Sequence, residues 1–364
     1  MYKIEPVFWV FPSICLFFSF DKRRNSRLRF WFITILFILF YSFSLNGADY
    51  EGYNSLFEEV LVGSSIREIH GELGYGLLMV FAQKIGMDYQ IFRIVLLSVT
   101  SVVLFSMLYK MSPNFPLSVF FFTSLFIIYA ISAYRQYIVM AFSLVWIYEF
   151  VKGNARKAIV GLVGLLFFHI TAIIPLAFVL IYKSMRERQT TSIKIFVDKN
   201  GIIFIAVVFL LRIFNFYILK ISIVNSVLGI IISNRADINP TLFSAGLASR
   251  TIFLFFIVIL FQYKSSNDKL LMLLFGCYYI GMTLYIAVPL EFFMGRLMNS
   301  VNVLSTIIVP YMVYRHHDDR FLGSTVASSN RIVLSILIIV SYVILFNQLS
   351  NQIGYTPYTN YLFG

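Results

Sequence analysis

Cysteine, histidine and tryptophan are scarce in this chain, at 2, 4 and 3 of 364 residues. Cys15 and Cys277 stand in separate apolar runs with no metal-ligand spacing, which excludes a disulfide framework and a thiolate metal site. The tempting run His316-His317-Asp318-Asp319 sits in a basic loop away from every other candidate, so no metal or other cofactor is expected. Charge is scarce as well: 13% of residues are Asp, Glu, Lys or Arg, against about 25% in an average soluble domain. No GxxxxGKS/T loop and no GxSxG turn occurs, which removes P-loop nucleotide chemistry and the serine hydrolases built on a nucleophile elbow. Low-complexity tracts and internal repeats are also missing.

What the chain has is apolar and aromatic mass, 59% and 18% of residues. Apolar stretches recur from end to end at roughly the 20 residues a helix needs to cross hydrocarbon. The expectation is an all-α, polytopic integral membrane protein forming one domain over 1–364. The opening "MYKIEPVFWVFPSICLFFSFDKRR" lacks a basic segment before its apolar run and a small-residue cleavage site after it, so it reads as a retained first span. The net charge of +12 does not point to nucleic acid, because the basic residues cluster in short loops: "DKRRNSRLR" (21–29), "KGNARK" (152–157), "KSMRERQTTSIK" (183–194), "KSSNDK" (264–269) and "RHHDDR" (315–320). Such loops stay on the cytoplasmic side.

Placing them there predicts about ten full spans, near 6–20, 30–45, 91–109, 116–132, 136–151, 201–219, 250–263, 270–289, 297–314 and 332–349. Two segments, 71–86 and 158–182, read as re-entrant or broken helices. The second is an apolar run interrupted by "FFHITAIIP" with basic loops at both ends. If it turns back with His169 at its tip, 19 of the 29 Lys and Arg fall inside and 10 outside; if it crosses, the split is 14 to 15. Only the hairpin obeys the positive-inside rule. Full crossing by both segments gives about 17 to 12 and carries Arg135 to the inside.

Under the hairpin threading the outer side carries Arg67, Arg135, Arg235, Arg250 and Arg296 in loops or at helix mouths. Arg135, followed by Gln136, presents a planar fork matched to phosphate oxygens, with a snorkelling anchor as the alternative. Arg296 has Glu291 five residues earlier, so a local ion pair competes with a ligand role. The first outer loop (46–76) holds Asp49, Glu51, Glu58, Glu59, Glu68 and Glu72 among aromatics that include Tyr50 and Tyr53. Rings stack on pyranose faces and carboxylates accept hydroxyl protons, so the loop suits a sugar; a solvated loop with interfacial tyrosines is the plain alternative. His169, in "LLFFHITA", is a candidate base near neutral pH or a packed core imidazole.

The stretches "GADYEGY" (47–53), "GELGYGLLMVFAQKIG" (71–86), "YRQYIVMAF" (134–142), "FFHITAIIPLAF" (167–178) and "GRLMNSV" (295–301) resemble, in their order, the EpsG family. Where that family shows an acidic-Pro-Gly start to the second motif, this chain has "ELGYG". The resemblance covers about 46–301 and implies a Wzy-type polymerase of exopolysaccharide, capsule or O-antigen in the bacterial plasma (inner) membrane. It further implies a metal-independent, inverting glycosyltransferase whose donor and acceptor are undecaprenyl-diphosphate-linked oligosaccharides, with membrane lipid around it and a chain-length regulator protein as a partner. On that reading Arg135, Gln136, Arg296, Arg250, Tyr50 and Tyr53 bind diphosphate or sugar, and His169, Asp49 or Glu72 takes the acceptor proton. The same residues would serve a transferase using a polyprenyl-phosphate sugar, or a flippase for lipid-linked oligosaccharides, although no two-fold repeat favours the flippase.

Overall fold

The computed structural model describes residues 6–21, 25–45, 47–61, 72–186, 190–219, 242–263, 269–314, 324–350 and 362, and among them the chain is helical with no strand. In order the α-helices are α1 (Val7–Ser19), α2 (Arg27–Phe37), α3 (Tyr50–Leu61), α4 (Leu73–Lys84), α5 (Tyr89–Met111), α6 (Phe115–Ile131), α7 (Tyr134–Val151), α8 (Ala155–Leu165), α9 (Ile173–Arg186), α10 (Thr190–Leu219), α11 (Ala245–Tyr263), α12 (Lys269–Ala287), α13 (Glu291–Asn302), α14 (Ser305–Tyr314) and α15 (Ser324–Ser350). A π-helical turn, Ile38–Ser42, continues α2, and a 3-10 turn, Ile170–Ala172, leads into α9.

Local chemistry explains several starts. Ser26 accepts the N–H of Arg29 at the head of α2, Asp88 that of Ile91 at α5, and Asn114 that of Leu117 at α6, where Pro116 sits in the first turn. Each such cap satisfies an otherwise orphaned donor and is worth about 1 kcal/mol. Asn25 and Asn114 then stitch two turns together. Asn25 donates to the Ser112 carbonyl and accepts from the N–H of Phe115, while Asn114 donates to the Ser19 carbonyl. The α1–α2 turn is thereby fixed against the α5–α6 turn.

α6 has no polar face. It buries every residue except Ile128 and packs against α1, α2, α5, α7, α14 and α15, as a helix apolar all round must. Around this centre the outer helices turn apolar side chains outward, among them Phe17, Val160, Leu210 and Ile339, each more than 60% exposed. Water would penalise that surface and lipid does not. Among the described residues four segments are long and apolar enough to cross a membrane, Tyr89–Met111, Leu270–Ala287, Met294–Tyr314 and Ile332–Leu349, and five shorter apolar helices accompany them. Length and composition therefore do not reproduce the count of ten. The expected spans 30–45 and 136–151 are in neither group: the first is interrupted by the π turn, and the second lies in α7, which carries Arg135, Gln136 and Glu149.

The run 158–182 breaks at His169, where the chain reverses. α8 and α9 pack on each other and on α7, and the ring of Phe150, at the far end of α7, meets that of Tyr182 on α9 at 5.9 Å. Both feet of this hairpin thus lie at the C-terminal end of α7, and its tip lies at the end where α7 begins. Gly161 allows the close approach of α8, since a Cβ there would fall 2.1 Å from the Trp146 ring.

On the other side of the bundle, Arg212 of α10 is fully buried. It donates to the carbonyls of Leu242, Ile286 and Val288, while Asn215 donates to that of Ala287. These close the exposed C-terminus of α12, where a cation is also favoured by the helix dipole.

Candidate active site

Three sequence-distant stretches meet at the N-terminal end of α7. The first is "GADYEGY". Gly47 has φ +148°, and an added Cβ would fall 2.2 Å from the Ile131 carbonyl oxygen, so only glycine lets this turn lie on the end of α6. The Asp49 N–H donates to the Ser132 hydroxyl at 3.2 Å, and α3 starts directly above the α6–α7 turn.

The second stretch is the head of α4, which docks on the third, the hairpin tip. Gly74 donates its N–H to the Phe167 carbonyl at 2.7 Å, and a Cβ on Gly74 would stand 2.8 Å from that same oxygen. Gly74→Ala is expected to lift α4 from the tip, lowering activity about tenfold or more, even though alanine is the better helix former by about 0.8–1.0 kcal/mol. Activity at equal membrane abundance checks this, and an unchanged activity would show that the docking is not needed.

With those contacts made, Glu72 lies between two partners. One carboxylate oxygen forms a close ion pair with Arg135 Nη1, and the other is 3.7 Å from His169 Nε2. Arg135 Nε also donates to the Tyr53 hydroxyl at 3.2 Å, and its guanidinium carbon lies 5.5 Å from the centre of that ring. A cation in the first turn of α7 opposes the helix dipole; the Glu72 carboxylate offsets this. The side chains of Arg135, Glu72 and His169 are 20, 25 and 16% exposed, which is enough to meet a ligand. Burial pushes the Tyr53 phenol above its usual range, with Arg135 pulling the other way, so Tyr53 stays a neutral hydroxyl.

The tautomer of His169 follows from its neighbours. The Thr171 N–H donates to Nδ1 at 3.2 Å, and the Thr171 hydroxyl is 3.0 Å from the same nitrogen. In the neutral ring Nε2 therefore carries the proton, directed to Glu72. α13 packs on this turn, with the Ser300 hydroxyl donating to the Thr171 carbonyl at 3.1 Å. Arg296 lies one helical turn before Ser300, half-buried.

The remaining sequence candidates divide. Gln136 is buried, with its side-chain oxygen unpaired among the described residues, and Asp49 is half-buried in the turn above α6. Tyr50 donates to the Gln90 side-chain oxygen at 3.0 Å, and burial raises its phenol too. Arg250 belongs to a second group. Its guanidinium lies 5.0 Å from the Tyr285 ring centre, beside Gly295 and the Tyr129 hydroxyl. It borders a small pocket that Tyr278, Asn302 and Ser305 also line. α13 separates the two groups: Gly295, Asn299 and Asn302 lie on one stripe, Arg296 and Ser300 on the next. Arg67, Arg235 and the 316–319 run lie outside the described residues, as does the Glu291 side chain.

Sequence reasoning passed over two buried arginines, Arg93 of α5 and Arg212. Each announces itself in the same way as Arg135, by standing in an apolar run where a charge is costly. Among the described residues no three His, Cys, Asp or Glu side chains gather as metal ligands.

The sequence model of the EpsG family matches residues 28–362. No curated protein and no solved structure matches the chain.

Proposed function

The chain belongs to the EpsG family and is a membrane protein of polysaccharide biosynthesis, and on that premise we propose that it is a Wzy-type polymerase. It joins undecaprenyl-diphosphate-linked oligosaccharide repeats on the outer side of the bacterial plasma membrane. The observation that carries this reading is the meeting of Arg135, Glu72, His169 and Tyr53, drawn from four separate segments, at one end of the bundle.

The chemistry runs as one displacement. An acceptor hydroxyl gives its proton to Glu72 while its oxygen attacks the anomeric carbon of the donor glycan. The bond from that carbon to the diphosphate oxygen breaks with inversion, and the diphosphate leaves with the electron pair. Glu72 suits the base role because its carboxylate keeps free lone pairs, whereas His169 already uses Nδ1 to accept from Thr171. His169 then orients Glu72 through its Nε2–H as the site tightens around substrate. Arg135 and Arg296 grip the leaving diphosphate and offset its growing charge, the effect that usually contributes most to such reactions. Tyr50, half-buried, flanks the sugar, whereas Tyr53 is buried between the Tyr75 and Tyr134 rings and holds Arg135 rather than a sugar. No metal takes part in this scheme, and a chain-length regulator protein acts on the same outer face.

Deletion of the gene is expected to accumulate single lipid-linked repeat units on the outer leaflet with no ladder of longer glycans. Units trapped on the inner leaflet would mean a flippase, and units lacking one sugar would mean a polyprenyl-phosphate-sugar transferase.

A further inference from the structure

We propose that Arg93 is a positioning residue for this site: buried beneath it, its guanidinium ties the end of α2 to the start of α7 and so sets where Arg135 points. The inference rests on Arg135 gripping the donor diphosphate.

Arg93 is 1% exposed. Its Nε donates to the Tyr134 hydroxyl at 2.7 Å and its Nη1 to the Ser42 carbonyl at 3.3 Å. Ser42 closes the π-helical turn that ends α2. Carbonyls at a helix end lack N–H partners, and a cation is favoured there. The Tyr134 ring centre lies 5.2 Å from the guanidinium carbon and the Tyr50 ring centre 5.5 Å. No carboxylate among the described residues pairs with it.

A buried cation without a carboxylate is expensive, and leucine or methionine would fill similar space without that penalty. What the guanidinium supplies instead is direction, two donors held at a fixed angle. That direction is passed upward. The Tyr134 ring lies 4.8 Å from the Tyr53 ring, tilted by 32°, and the Tyr53 hydroxyl accepts from Arg135 Nε. Tyr134 also precedes Arg135 in the chain, so holding its side chain fixes the first turn of α7. Arg93 thus links the loop that begins "GADYEGY" to the turn that begins "YRQ" without touching substrate.

The test uses purified full-length protein, with binding of farnesyl diphosphate as the readout and the thermal unfolding midpoint as the control. Tyr134→Phe removes the acceptor but keeps the ring, and Arg93→Lys keeps the charge but cannot reach both partners. Each is expected to lower the midpoint by a few degrees, because a buried charge-assisted bond is lost, and to weaken binding about tenfold when measured at a temperature where the variant is fully folded. Tyr134→Phe combined with Arg135→Lys should bind no more weakly than Arg135→Lys alone, because residues acting through one group are not additive. Wild-type affinity in Tyr134→Phe, a further tenfold loss in the combined variant, or a loss that disappears where the variant is fully folded would overturn the role of Arg93. Wild-type affinity in Arg135→Lys would instead remove the diphosphate reading itself, and with it what Arg93 positions.

Discussion

Arg135→Lys is expected to leave the protein in the membrane at normal abundance and to remove most of the polymer, by roughly two to three powers of ten. Lysine keeps the charge, so the comparison isolates geometry. The guanidinium holds Glu72 through Nη1 and Tyr53 through Nε, with its carbon 5.5 Å from the Tyr53 ring centre. Among the described residues Nη2 has no partner, and on the diphosphate reading it is the donor left for phosphate. A single ammonium cannot hold both neighbours and still present a donor outward. A glycan ladder close to wild type would show that Arg135 only reaches for headgroups.

Glu72→Gln is expected to lower turnover by roughly two to four powers of ten, the usual contribution of a general base. The amide matches the carboxylate in shape and keeps one acceptor toward Arg135, so protein abundance should hold. His169→Ala removes an orienting group and leaves the base in place, so its loss should be smaller, about tenfold. Measuring both at equal abundance ranks them. If His169→Ala were the more damaging change, the base would be His169 and the tautomer read from Thr171 would have to reverse during turnover.

Much of the site was legible as separate pieces. Arg135 and His169 stand out because a cation and an imidazole are costly in apolar runs, and Glu72 and Tyr53 stand out because acids and tyrosines alternate in the first outer loop. Their meeting was not legible. Arg135 and Glu72 are 63 positions apart, and what joins them is the backbone contact between Gly74 and Phe167, which no side-chain pattern announces. The hairpin at 158–182 was readable because counting charges distinguishes a chain that crosses from one that turns back. The number of spans was not, because helices that build a polar mouth, such as α7, weaken the very apolarity by which spans are counted. The separation of Arg250 from Arg296 depends on which stripe of α13 faces which neighbour, a rotation that docking decides.

Arg212 bears on how the chain is made as well as how it stands. Its carbonyl partner Ile286 is 74 residues further along. From Leu219, where α10 ends, 67 residues remain to Ile286, so at roughly 5–20 residues per second α10 is complete about 3–13 s before that partner is synthesised. Through that interval a guanidinium in an apolar helix has none of the α12 carbonyls that later surround it. α10 is therefore expected to settle fully among its neighbours only once α12 arrives to receive it, so that the later helix admits the earlier one.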